Sequence, residues 1–272
     1  MANKSVSNTN EIKSLWPGQS MDLLKSLHIL TRDGALNQDS RRKLKQVQHL
    51  VQFLTPQLEG LKTIADLGAG KSYLGFMLYD LWMRGVDESH LFAIEAREDL
   101  IATCRKIAAD SGFDRTTFVQ STILDASQNT ELPEAIDAVV ALHACDTATD
   151  EAIAFALKKD AKFIALVPCC QAEVARLLEE KEMNSTVGRS LWRHGLHRRE
   201  FGSHLTNVIR ALFLESRGYK VRVTELIGWE HSMKNELILA TKIQKGNALA
   251  KSHLDNLLHE FPVKMKLFEL VD

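Results

Sequence analysis

The chain has 272 residues, 45% hydrophobic and 25% charged, enough to bury a sizeable core in one or two domains. A formal net charge of −1 argues against a uniformly basic nucleic-acid binder and leaves room for a local basic patch. No apolar run approaches the roughly 20 residues of a membrane helix, the polar start MANKSVSNTNEIKS lacks the core of a signal peptide, and four cysteines without framework spacing fit a reducing, cytoplasmic compartment.

In chain order, residues 1 to about 19 read as a polar arm. Two helices are expected near Met21–Leu30 and Ser40–Leu54. The second carries Leu44, Val47, Leu50, Val51 and Leu54 on one face, at helical spacing. Arg41, Arg42, Lys43 and Lys45 near its start oppose the helix dipole and form either a solvated face or a phosphate-facing patch. Thr55-Pro56 ends it.

From Lys62 the pattern becomes short apolar strands alternating with helices. Strands are expected at Thr63–Leu67, Leu91–Ala96, Thr116–Ser121, Ile136–Leu142 and Lys162–Val167. Helices are expected from Lys71, at Glu98–Ser111 and near Thr147–Lys159. This alternation implies right-handed crossovers and a mostly parallel sheet covered on both faces. A helix at Ala172–Glu182, an irregular basic stretch at Asn184–Ser203 and a helix at Leu205–Ser216 follow. Lys220–Ile227 and Glu236–Lys242 close the sheet. The connection between them is too short for a crossover helix, so they should pair antiparallel. Residues 248–272 hold an amphipathic stretch broken by Pro262.

The segment KTIADLGAGKSYLG (Lys62–Gly75) joins a strand, a glycine turn and a helix start. Glycines let a ligand approach the main chain, and the helix start supplies unpaired N–H groups. Asp66 ends the first strand, and Glu95 at the end of the second can accept hydrogen bonds from ribose hydroxyls. The GKS triplet also hints at a phosphate loop. That motif needs a glycine where Ala65 stands and a longer loop, and the fourth strand ends in His143 rather than a magnesium-binding aspartate.

ADLGAGKSYLG followed by FAIEA resembles the first two motifs of class I S-adenosylmethionine-dependent methyltransferases, over about Lys62 to Lys242. The resemblance implies an α/β, doubly wound, Rossmann-like seven-stranded sheet, mostly parallel with an antiparallel last strand. It implies an N-terminal helical extension (1–60), a methyltransferase domain (61–243) and a helical tail (244–272). It also implies S-adenosyl-L-methionine as cofactor, with Gly68 and Gly70 under its methionine part, Glu95 on its ribose beside Asp66, and Ser121, Thr122 and Ile123 along its adenine. A narrower resemblance rests on LHACDTATDEAI (Leu142–Ile153), PCCQ (Pro168–Gln171), SRRKLKQV (Ser40–Val47) and HSMKNELI (His231–Ile238). These are similar to a family with a His/Cys loop plus A-T-D after strand four and a Cys-Cys pair after strand five, which includes tRNA ribose 2'-O-methyltransferases.

Methyl transfer from a sulfonium is an in-line displacement, so the protein must position and desolvate the nucleophile. His143 and Asp146 are the candidate catalytic residues: His143 titrates near neutral pH, and Asp146 could accept a proton or orient the acceptor. His143, Cys145, Cys169 and Cys170 could converge on a thiophilic metal, or Cys169 could add to a pyrimidine ring. The plainer alternative is that they pack under the crevice, and no metal is expected. Cys104, mid-helix, reads as structural.

The stretch from Arg189 to Arg210 adds Arg193, Arg198, Arg199, His194, His197 and His204, interleaved with Trp192 and Phe201. Arginines can hold phosphates and aromatics can stack on unpaired bases, so RNA is the expected partner. The alternative is a basic surface helix pairing with Glu179, Glu180 and Glu182. The sequence therefore points to a methyltransferase acting on tRNA or rRNA. A small-molecule or protein methyltransferase, or a non-catalytic cofactor-binding module, stands as the alternative.

Overall fold

A computed structural model describes residues 16–36, 38–142, 144–168, 171–180, 190–225 and 236–271. The chain divides into two compact units, up to Thr122 and from Ile123 onward.

In the first unit, α1 (Met21–Ser26) starts at Ser20, whose side chain accepts a hydrogen bond from the Leu23 N–H at 3.2 Å. Helix α2 (Gln38–Leu54) buries Leu44, Val47, Leu50, Val51 and Leu54, the face its spacing predicts. Pro56 lies in the short 3₁₀ turn Thr55–Gln57 that follows. Strand β1 (Thr63–Leu67) leads into α3 (Tyr73–Leu81). Strand β2 (His90–Glu95) runs parallel to β1 with Ile64 opposite Leu91. It also runs parallel to β3 (Thr116–Gln120), with Leu91 opposite Thr116. Between them, α4 (Glu98–Ser111) has Glu98 and Asp99 in its first turn, favourable at the positive end of the dipole, and ends at Gly112 in a left-handed cap.

The second unit opens with a short helix, α5 (Ile123–Ala126), that periodicity does not signal. Strand β4 (Ala138–Ala141), helix α6 (Thr147–Lys158) and strand β5 (Phe163–Leu166) follow, and β4 and β5 are parallel neighbours. Helices α7 (Glu173–Glu180) and α8 (Gly195–Ser216) precede β6 (Tyr219–Glu225) and β7 (Glu236–Lys242). Strand β7 is antiparallel to both β5 and β6. Helices α9 (Ala248–Glu260) and α10 (Lys266–Val271) end the chain. The strand order is β3-β2-β1-β4-β5-β7-β6, the expected mostly parallel, Rossmann-like sheet with an antiparallel last strand.

Helix α8 departs further from the sequence expectation than α1, which ends at Ser26. Helix α8 begins at Gly195, ten residues before the predicted Leu205, so much of the stretch expected to be irregular is helical. Gly202 hides this: it lowers helix propensity by about 1 kcal/mol relative to alanine. Packing requires it, since a β-carbon there would stand 2.7 Å from the backbone nitrogen of Ala175 on α7.

Candidate methyltransferase site

The turn after β1 is built from both sides. Gly68 and Gly70 take positive φ (62° and 59°), and Ser72, just before α3, joins them at 49°. On the inner side, the buried Asp66 carboxylate accepts hydrogen bonds from the Ser72 hydroxyl (3.0 Å) and the Gly75 N–H (3.3 Å). Gly75 must be glycine: a β-carbon there would lie 2.4 Å from Ser72 Oγ and 3.0 Å from Asp66 Oδ2. On the outer side, a β-carbon added at Gly70 would meet nothing within 4 Å, so open space lies against the main chain where a ligand must approach. Asp66 therefore ties the turn to the strand from behind. Burial raises its carboxyl to about 7, the hydrogen bonds from Ser72 and Gly75 opposing and the charge of Glu95 adding to the rise.

Glu95 faces the same turn. Its Oε2 accepts the Gly70 N–H at 2.8 Å, and its Oε1 accepts the backbone and side-chain N–H of Arg97, both at 3.1 Å. Burial pushes this carboxyl up, but the Arg97 and Gly70 hydrogen bonds and the Arg97 charge more than offset it, leaving its pKa below the usual value. It is thus an ionised acceptor at neutral pH. Ser121 follows β3, its N–H bonded to the Glu95 carbonyl at 3.1 Å. Thr122 is exposed, and the buried Ile123 opens α5. The phosphate-loop alternative loses its metal ligand, because the Ser72 hydroxyl is buried against Asp66.

Beyond β4, His143 lies outside the described residues, as do Cys169 and Cys170. Asp146 precedes α6 with φ 52° and ψ −122°, a conformation rare for any side-chain-bearing residue. Its Oδ1 accepts the N–H groups of Ala172 (3.0 Å) and Glu173 (3.1 Å) at the start of α7, and its Oδ2 pairs with Arg176 at 3.1 Å. Burial raises this carboxyl, but the bonds from Ala172, Arg176 and Glu173 more than cancel that and its pKa falls below the usual value. Both Asp146 carboxylate oxygens are thus engaged with the start of α7 and Arg176. Among the described residues no group of three or more His, Cys, Asp or Glu side chains could hold a metal. Cys145 is exposed, whereas Cys104 is buried, its thiol pushed up to about 12 chiefly by burial and then by the charges of Asp66 and Glu95.

The A-T-D triplet contributes something the sequence did not reveal. Asp150 and Arg210, both fully buried, form an ion pair at 2.7 Å between α6 and α8. Arg210 also donates to the Asp146 carbonyl at 2.8 Å and to Asn207 Oδ1 at 3.3 Å. Arg210 is thus a structural cation and is corrected out of the RNA-facing segment. The aromatics are corrected too: Trp192 is buried and stacks on Phe201 (centroids 5.4 Å apart, planes 24° apart), and both contact Phe261. Arg198 pairs with Glu179 at 2.9 Å, as the surface-helix alternative expected, while Arg193, His194, His197, Arg199 and His204 are exposed. Arg189 lies outside the described residues.

The family model described as a methyltransferase domain matches residues 42–177, half of the chain. The chain belongs to this family. Its fold and glycine turn are those of a class I methyltransferase, and its methyl donor is S-adenosyl-L-methionine. Among curated proteins it is 24% identical over 234 residues to the glutathione S-transferase C-terminal domain-containing protein of Bos taurus, covering 78% of this chain and 35% of that one. The Homo sapiens protein of the same description gives the same values. The chain thus spans about a third of the length of these relatives. Among solved structures, a candidate O-methyltransferase from Klebsiella pneumoniae superposes with a TM-score of 0.53 at 19% identity, over 88% of this chain and 97% of that one. The SAH-bound methyltransferase PaMTH1 of Podospora anserina gives 0.50 at 13% identity, over 90% and 98%. At these identities the likeness is one of fold.

Proposed function

We propose that this methyltransferase acts on RNA, at an acceptor in tRNA or rRNA. The observation that carries the reading is the exposed basic stretch Arg193, His194, His197, Arg199 and His204, in a chain of net charge −1 with histidines neutral. Basic side chains on and just before one helix suit a phosphate backbone. Gly68, Gly70 and Glu95 hold the cofactor, with Asp66 fixing the turn and Ser121, Thr122 and Ile123 along the adenine. The cofactor supplies a methyl group on a sulfonium. His143 would take the proton that the acceptor loses on methylation. Asp146 holds the start of α6 against the start of α7.

Labelled methyl transfer into total RNA, protein and small-molecule extracts of cells lacking the protein tests this. Label should enter RNA, fall steeply with added salt, and vanish with His143→Ala. Label confined to protein or small molecules refutes the RNA reading. A small-molecule acceptor is the second reading, favoured by the inward stacking of Trp192 and Phe201, which withdraws both rings from unpaired bases.

A further inference from the structure

A cavity of about 110 Å³ opens beside the carboxyl end of β5, lined by Pro168, Gln171, Glu200, Ser203, His204, Asn207 and Glu236. Ligands of open α/β sheets bind outside such strand ends.

The buried Arg210–Asp150 pair fixes the polarity of this wall. Arginine can only donate, so the Asn207 carbonyl oxygen turns toward Arg210 Nη1 and its amide nitrogen toward Glu236, to whose Oε2 it donates. Asn207 Oδ1 also accepts from Gln171 Nε2 at 3.4 Å, and the same nitrogen donates to the Pro168 carbonyl at 3.0 Å. Both Gln171 amide hydrogens are thereby used. Its Oε1 in turn receives the Ser203 hydroxyl hydrogen at 2.7 Å. Glu200 pairs with Arg199 at 3.0 Å.

What is left for a ligand follows by subtraction. Glu236 keeps Oε1, for which no partner stands among the described residues, and one further lone pair on Oε2. Asn207 keeps one amide hydrogen. Along its Asn207–Glu236 edge the cavity therefore offers a carboxylate next to a single N–H donor, while Glu200 Oε2, the Ser203 hydroxyl oxygen and the His204 ring line the rest of it. A group that fits must present two adjacent donors beside an acceptor.

We propose that this cavity recognises an unpaired guanine of the RNA acceptor. Guanine N1–H and N2–H meet the Glu236 carboxylate, and O6 takes the remaining Asn207 N–H. The other bases fail on donor count. Adenine and cytosine put a ring-nitrogen lone pair beside their amine, facing the carboxylate. Uracil has one donor between two acceptors. A guanidinium or ammonium side chain would also suit a carboxylate, but the exposed Arg193 and Arg199 on the same stretch disfavour a basic peptide and attract phosphate. The assignment rests on the RNA reading above and sharpens it.

The test is fluorescence polarisation with labelled single-stranded oligouridylates carrying one guanine, inosine or adenine. Inosine differs from guanine only by the missing N2 amine. The intact chain should bind the guanine strand roughly tenfold more tightly than the inosine strand. Glu236→Gln should weaken the guanine strand more than the inosine strand and bring that ratio close to one. Should Glu236→Gln fail to fold, competition by free guanosine against inosine on the unaltered chain reads the same preference. An equal response to guanine and inosine overturns the guanine assignment alone, as does a preference that survives Glu236→Gln. No binding of any strand overturns the RNA reading itself.

Discussion

Asp66 is held as a buried carboxyl whose neutral form the fold prefers, so Asp66→Asn should change how stability depends on pH. Burial lifts this group from 3.8 to about 7. At pH values between those two, the unfolded chain has released the proton that the folded chain keeps. The folded state then binds more protons, and stability falls as pH rises. At 1.36 kcal/mol per tenfold, the full effect is about 4 kcal/mol, complete once pH passes the folded value. Roughly 2–3 kcal/mol of it develops between pH 5 and pH 8. Asparagine preserves the shape and can still accept from Ser72 and Gly75, but it does not titrate. Urea unfolding of both proteins at the two pH values, without cofactor, isolates the group from other titrations. The asparagine variant should gain roughly 2–3 kcal/mol on the native chain between pH 5 and pH 8. A stability gap that stays flat with pH would refute the placement of an uncompensated buried carboxyl behind the glycine turn.

Gly75→Ala should destabilise the first unit by about 1–3 kcal/mol, because the new methyl collides with Ser72 Oγ. Thermal melting with and without cofactor checks it. Arg210→Met should cost about 3–5 kcal/mol by stranding Asp150 in the interior, and the double variant Arg210→Met/Asp150→Leu should recover much of that loss in chemical denaturation. Glu95→Ala should weaken S-adenosylmethionine binding by about tenfold or more in calorimetry, since a charged acceptor is lost; unchanged affinity would move the ribose elsewhere. In peptide-resolved alkylation of the native protein near pH 8, Cys145 should label and Cys104 should not, its thiol being buried and held near 12.

Much of the architecture was legible in the residues. Strands β1 and β7 and helix α4 fall at their predicted limits, because apolar runs bounded by Gly112 or by charged turns leave little choice of register. The antiparallel β6–β7 pair followed from the length of its connection. The glycine turn and Glu95 were also visible, since each stands at the end of a short apolar strand. Helix α8 was read short because Gly202 argues locally against a helix, and only the approach of α7 explains why it stands there. Charge in the sequence likewise could not separate Arg210 from its exposed neighbours. Burial against Asp150, 60 residues earlier, makes it a structural cation, whereas Arg193 and Arg199 remain on the surface.

The sequence by itself determined the order of strands and helices along the chain and the glycine turn, because each depends on periodicity, glycine geometry or chain length between neighbours. The class of chemistry came from the resemblance of its motifs to class I methyltransferases. Tertiary structure alone decided that Asp66 braces the turn from behind, that Asp146 caps α7, and that Gln171, Asn207 and Glu236 form one oriented wall. Those roles depend on which groups are desolvated together across distant parts of the chain, and no local pattern encodes that.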